Sequence, residues 1–583
     1  MILDQPALRN KERSVSLNTR LRRAFVGLFL LVIASEILTP DLSNANPRRL
    51  SSDQIELKFL GRYSSGIFGP DAAGAESLAH DPRTQRLFVV NVANRAIDVL
   101  DIKNPRNPKF LFAIDLTPFG ANANSVAVHQ GIVAVAVQAN VKTNPGMAVF
   151  FDAHGMLLNA VQVGALPDMI VFTPDGKKVL TANEGEPNSY NRPDSFDPEG
   201  SISIIDISGG VRNLMPGNVV TAGFTQFNNA VLDPSIRIFG PNATVAQDLE
   251  PEYIAVSEDS KSAWVTLQEN NALAHLDLVA GTFTKLMALG TKDHGVPGNG
   301  IDASDEDGAI NIANWPVKGF YMPDAIAYYT HNGKAYLVTA NEGDARDYDG
   351  FAEEERVADL DLEPQSFPNA AQLQLDANLG RLTVTLVNGE NAAGMFQELF
   401  AFGGRSFSIW DENGQRVFDS GDDFERIIAE RFPNNFNSNN EANDFDNRSD
   451  NKGPEPEGVT IAHIGGAVYG FIALERIGGI MVYDITDPFD VSFVDYVNTR
   501  NFNVNRVCLN PNEEGDCEQG SRPHPGVGDL GAEVIRFIDA SDSPTGKPLL
   551  AVANEITGTT STFEIVRKSR PALTTGLQDG RQK

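Results

Sequence analysis

Residues 168–187, "DMIVFTPDGKKVLTANEGEP", and residues 324–345, "DAIAYYTHNGKAYLVTANEGDA", follow one grammar. Each opens on an aspartate, runs through a short apolar strand, turns on a polar stretch with Gly, and closes a second apolar strand on Asn-Glu-Gly. Turns such as "TPDGK" and "THNGK" between Val-, Ile- and Ala-rich runs mark antiparallel hairpins. In a hairpin the start of the first strand and the end of the second lie at the same edge. Asp168 with Glu184, and Asp324 with Glu342, are therefore expected side by side.

Five more stretches share the grammar, beginning at Glu76, Asn124, Glu252, Glu457 and Glu533, which makes seven units. Each holds three or four short strands, and helical periodicity is scarce, so parallel α/β folds are disfavoured. Repeats of this kind predict an all-β fold of radially arranged four-stranded sheets, a seven-bladed β-propeller spanning 46–567. The third unit resumes at "GSISIIDI" (200–207), and the fifth is delayed to "SFSIWDENGQRVFDSG" (406–421). That leaves 343–405 as a long insertion in blade five, within which "RLTVTLVNGE" (381–390) reads as a hairpin. The Asn-, Asp- and Gly-rich stretch 432–458 reads as a loop of the kind that forms lids. "ELKFLGRY" (56–63) is a candidate fourth strand for the last blade, and 568–583 is a tail.

Unit by unit, the starts are Glu76, Asn124, Asp168, Glu252, Asp324, Glu457 and Glu533, and the matching ends are Asn94, Asn140, Glu184, Glu269, Glu342, Glu475 and Glu555. If the first strand of each unit is innermost, both sets face one mouth of a central channel. So many carboxylates repel one another unless a cation enters or their pKa values rise. Calcium takes six to eight oxygen ligands and suits this donor set, whereas zinc would want His or Cys. Charge is concentrated on units three to seven. The expected calcium ligands are therefore Asp168, Glu184, Glu252, Glu269, Asp324, Glu342, Glu457, Glu475, Glu533 and Glu555, to one side of the axis. The same carboxylates can instead serve each blade locally, by accepting backbone N–H groups or pairing with Arg. A second cluster, Asp302, Asp305, Glu306 and Asp307, lacks EF-hand spacing and reads as a solvated loop.

The formal net charge of −30 disfavours nucleic acid and anionic membrane surfaces and favours divalent cations. Residues 1–45 read as a signal peptide, with Arg20, Arg22 and Arg23 before "AFVGLFLLVIA" and a small-residue site at 43–45. That apolar run is too short to cross a bilayer, so the mature chain carries no expected membrane span and is secreted, periplasmic or extracellular. Cys508 and Cys517, the two cysteines of the chain, are expected to form a disulfide across a turn-rich loop.

The standard signatures of phosphate cradles, zinc hydrolases and serine hydrolases are missing, and "GVGDLG" (526–531) leads into a strand rather than a helix. Metal-assisted phosphoester hydrolysis stays open, with Arg346, Arg405 and Arg476 as candidates to hold an anion, or alternatively to neutralise neighbouring carboxylates.

The phrases "YLVTANEGDARDY", "GGRSFSIWDENGQRVFDSGDDFE", "RSDNKGPEPEGV", "LERIGGIMVYDITDP" and "LLAVANEITGTT" occur in order, and together they resemble the choice-of-anchor I family. That family is similar to mesenchyme-specific cell-surface glycoproteins. The resemblance runs from about Glu56 to Val566 and implies a secreted or surface propeller; some relatives carry alkaline phosphatase or phytase-like labels. The last unit departs from it, opening on "GDLGAEV" where a Pro-Glu-Gly phrase is expected, and the tail lacks an apolar anchor. The resulting expectation is a secreted calcium-binding protein that binds other molecules or a surface, with phosphate esters or surface polymers as partners. The alternatives are a calcium-dependent phosphoesterase and a metal-free scaffold or adhesion module.

Overall fold

The computed structural model describes residues 55–69, 73–504, 506–511, 517 and 521–568. The expected signal peptide and residues 569–583 of the tail lie outside the described residues.

The protein is all-β and propeller-like. Among the described residues, seven sheets contain four strands each, all paired antiparallel. The first is Leu78–Asp81, Arg86–Asn91, Ala96–Asp101 and Lys109–Asp115, in chain order. The next five begin with Ala123–His129, Pro167–Phe172, Ile254–Val256, Ile326–His331 and Pro456–Ile464. In the last sheet, Ala532–Ile538, Leu549–Asn554 and Thr559–Arg567 are completed by Ile55–Ser64 from the other end of the chain, in register from Ile55↔Arg567 to Ser64↔Thr559. The candidate strand at 56–63 is thus in place. Each first strand touches the first strands of the sheets before and after it, and that of the last sheet touches that of the first.

Alternation decides which faces are buried. Second and third strands are apolar on both faces because each sheet is sandwiched between two others. In Ile132–Val137 every residue from Val133 to Val137 is buried, and in Ser262–Leu267 every residue from Ala263 onward. Clusters such as Phe88, Val90, Val99, Val126, Val135 and Phe151 fill the space between neighbouring sheets. At about 1.5–3 kcal/mol per fully buried aliphatic or Phe side chain, these inter-sheet cores are the main source of stability.

The excursion of the fifth sheet runs from Lys334–Asn341 to Ser406–Asp411 and has its own core, which includes Val357, Leu379, Leu382, Val384 and Phe396. The hairpin expected in 381–390 is absent. Thr383–Thr385 pairs instead with Glu354–Arg356, so the alternating pattern was real but its partner lies far back in the sequence. The helix Asp423–Arg431 was not legible either. It buries Phe424, Ile427 and Ile428, one short apolar stripe in an otherwise polar stretch. Cys508 and Cys517 form the expected disulfide.

Candidate functional site

The repeated "TAN" is a brace. Thr339 Oγ1 donates to Asn341 Oδ1 (2.8 Å), and Asn341 Nδ2 donates to Ser406 Oγ and Ser408 Oγ on the adjoining strand (3.2 and 2.8 Å). Thr181, Asn183, Ser201 and Ser203 repeat the arrangement in the third sheet. These buried bonds fix where the second strand ends, and so where the next residue, Glu184 or Glu342, begins. The following Gly permits a sharp departure: Gly343 has φ +91°, and a Cβ there would stand 2.2 Å from the nitrogen of Gly403, where the insertion returns.

All seven start residues come together. Glu76, Asn124, Asp168, Glu252, Asp324, Glu457 and Glu533 line one cavity of about 180 Å³, together with Tyr253. Glu76 belongs to this ring although sequence reasoning did not place it among the metal ligands, because the unit that carries it ends on Asn. Glu342 and Glu475 stand beside Glu457, with one ligand oxygen of each of the three inside a 4.8 Å span. Glu184 and Glu269 interact with each other and with Glu186 and Glu250, and Glu555 with Glu533. Asn94 and Asn140 do not join them: both are exposed beyond their strand ends, and in the first sheet the bracing amide is Asn91, bonded to Asp98.

Burial and mutual repulsion act in the same direction on these carboxyls. Burial, then Glu475 and Asp324, raises Glu76 to about 7; burial, then Asp324, Glu76 and Glu186, raises Asp168 to about 8. Glu184, Glu252, Glu457 and Glu533 are held well above the usual range for the same reasons. Asp324 rises less, to about 6, because a hydrogen bond from Glu457 offsets its burial. Glu76, Glu252 and Glu457 each have one buried carboxyl oxygen with no hydrogen-bond partner among the described residues. An unpartnered buried oxygen of this kind costs about 1–3 kcal/mol, and more if charged.

The polar stretch 432–458 reaches these carboxylates and brings cations that nothing in the local sequence marks for this place. Lys452 Nζ bonds Glu342 Oε1 (2.7 Å) and lies 3.3 Å from Glu455 Oε2. Burial alone would raise Glu455, but Arg448, Arg476 and Lys452 around it hold it well below the usual carboxylate range. Arg476 also lies 3.2 Å from Glu475, so this candidate anion holder neutralises carboxylates here. Arg346 is buried between Asp248 and Glu250, and Arg405 donates to Glu425 and to the carbonyls of Asp302, Ser449 and Asn451. The cluster at 302–307 is not a freely solvated loop: Asp302 is buried and accepts from the N–H groups of Ser304 and Asn311, while Asp305 pairs with Arg381.

Arg500 ties this polar stretch down. Its guanidinium donates to the carbonyls of Asn439, Ala442 and Arg476 and to Asn443 Oδ1. Arg500→Met is expected to free 432–447, measured as cleavage there under limited proteolysis at least tenfold faster, with the sheets left intact.

The family profile for the choice-of-anchor I domain matches residues 76–488, from the first cavity carboxylate to just past the third strand of the sixth sheet. The chain belongs to the choice-of-anchor I domain family. Gigasin-3a of Magallana gigas is 31% identical over 199 residues, covering 33% of this chain and 66% of that protein. A mesenchyme-specific cell surface glycoprotein of Strongylocentrotus purpuratus is 30% identical over 283 residues, covering 42% of this chain and 36% of that protein. The chain thus spans about two thirds of the first relative and about a third of the second. Among solved structures, Kuenenia stuttgartiensis hydrazine synthase aligns over 87% of this chain and 99% of that chain at 13% identity, with a TM-score of 0.41, and nothing is drawn from it. This choice-of-anchor I chain, with a relative named as a cell surface glycoprotein and with a disulfide, fits an extracellular or surface protein; among the described residues no helix is long and apolar enough to cross a membrane.

Proposed function

We propose that this protein is a closed seven-bladed β-propeller, secreted, that binds calcium at the acidic mouth of its channel and acts as a surface or binding protein. The observation that carries the reading is the convergence of six carboxylates from six different sheets on one small cavity. The lining carboxylates supply oxygens, and no His or Cys is among the lining residues, which suits a hard cation with an adaptable shell. Glu342, Glu457 and Glu475 are the closest group and the first ligands to test, with Glu76, Asp168, Glu252, Asp324 and Glu533 around the same space and Glu184, Glu269 and Glu555 interacting with Asp168, Glu252 and Glu533. Calcium there would offset the repulsion that otherwise raises these pKa values. The phosphoesterase alternative draws less support, since Arg346 and Arg405 spend their donors inside the protein.

Calorimetric titration with calcium, on wild type and on Glu457→Gln and Glu342→Gln, tests the reading. Saturable binding weakened about tenfold or more in each variant is expected, because affinity follows ligand charge. Heat without saturation, or variants that bind as wild type does, would sink it. Chelator-sensitive turnover of p-nitrophenyl phosphate would instead favour the phosphoesterase.

Stability should also depend on pH in an unusual direction. Glu76 and Glu269 near 7, and Asp168 and Glu342 near 8, bind protons more tightly folded than unfolded. Their stabilising contribution is fully present below their unfolded pKa values and is lost as pH rises through the folded ones. Metal-free protein should therefore melt at a lower temperature near ~pH 8.5 than near ~pH 5.5, with calcium removing most of the difference.

A further inference from the structure

A second cavity, of about 470 Å³, lies between the end of the outermost strand of the last sheet, Ile55–Ser64, and the third and fourth strands of the first sheet. Elsewhere large side chains such as Phe88, Phe150 and Phe283 help to fill the space between sheets. Here the first sheet offers Ala96 and Ala113, whose cross-strand partners are Asp115 and Asp98. Two small residues leave the space, and two carboxylates flank it. As diagonal neighbours across an antiparallel pair, their Cα atoms are about 7–8 Å apart.

The other walls are aromatic. Tyr63 and Phe110 lie nearly parallel, at 15° with ring centroids 6.3 Å apart, and Phe110 is 47% exposed. Asp98 is 5% exposed and accepts a hydrogen bond from the Asn91 amide (2.9 Å). Burial raises Asp98 and, with the Asp98 charge, also raises Tyr63. A largely buried carboxylate lining an open groove gains from a cation that can reach it, and no Lys, Arg or His is among the lining residues.

We propose that this groove is a binding site for a planar cation, the guanidinium of an arginine side chain presented by a partner protein, stacked on the Tyr63 and Phe110 faces and hydrogen-bonded to Asp98. Three features select that chemistry. A guanidinium is flat and weakly hydrated, so it stacks on aromatic faces where an ammonium would keep its water. Its fork of donors suits two carboxylates. The negative balance of the chain draws such a partner in. A neutral sugar could use the same rings, but it would leave Asp98 and Asp115 without counter-charge. The site is independent of the acidic ring, and either can fail alone.

The test is calorimetric titration with N-acetyl-arginine amide at low ionic strength, against wild type, Asp98→Asn, Phe110→Ala and, as a control, Asp206→Asn at an exposed carboxylate on another sheet. Asp98→Asn keeps an acceptor for Asn91, and Phe110 is half exposed, so both variants should melt as wild type does. One-site binding is expected, about tenfold or more weaker in Asp98→Asn and Phe110→Ala. It should be unchanged in Asp206→Asn and absent with the neutral citrulline analogue. Equal affinity for Asp98→Asn and wild type would overturn the proposal, since binding would then be diffuse attraction to an acidic surface. Binding of a methyl glycoside that N-acetyl-arginine amide cannot displace would also overturn it.

Discussion

A chain lacking Ile55–Ser64 is expected to lose cooperative folding and accumulate in aggregates. This strand pairs along its length with Thr559–Arg567 and buries Ile55 and Leu57 in a core shared with Phe471, Val482, Leu550 and Ile565. The two aliphatic side chains alone contribute about 3–6 kcal/mol, a large fraction of ordinary domain stability. Its removal also exposes the unpaired edge of Thr559–Arg567, a template for association with other chains. The measurement is soluble yield with the denaturation profile of whatever remains soluble. The full chain should show one steep transition and the truncated chain none. A truncated protein with an unaltered transition would mean that the last sheet does not need its fourth strand.

Arg346→Met is expected to destabilise the protein by about 3–5 kcal/mol, read as a lower urea midpoint at unchanged slope. Arg346 is 2% exposed and bonded to Asp248, Glu250 and the Asp248 carbonyl, while its guanidinium packs on Phe239 with 4.5 Å to the ring centroid. Methionine fills much of the volume but strands two buried carboxylates. Arg346→Lys should recover only part of the loss, because an ammonium cannot reproduce the fork. A variant within about 0.5 kcal/mol of wild type would contradict the account.

How far the sequence could be read differs by element, for a physical reason. Hairpins are local, so the two "TANEG" phrases were enough to give the strand ends at Asn183 and Asn341 and the pairing of each first strand with its second. The seven start residues lie at equivalent points of local repeats, and they were found for the same reason. What stayed illegible depends on chain returning from far away. Thr383–Thr385 pairs across nearly thirty positions with Glu354–Arg356. Lys452 reaches Glu342 from 110 positions along the chain. The candidate anion holders Arg346 and Arg405 were visible as arginines beside glycines and acids, but their partners at 248, 250 and 425 were not. Asp98 was passed over because alternation marks it as an ordinary strand residue, and nothing local shows that Ala96 and Ala113 leave a groove beside it.

The most direct test of the central claim is the melting temperature of the protein near ~pH 8 in millimolar calcium against the same protein in a calcium chelator. The acidic mouth predicts a clear rise with calcium, since occupancy at a hundredfold excess over Kd is worth about 2.7 kcal/mol. The rise should shrink in Glu457→Gln and toward ~pH 5.5, where protons already neutralise the ring. Identical melting in calcium and chelator, at both pH values, would contradict a calcium site at this mouth.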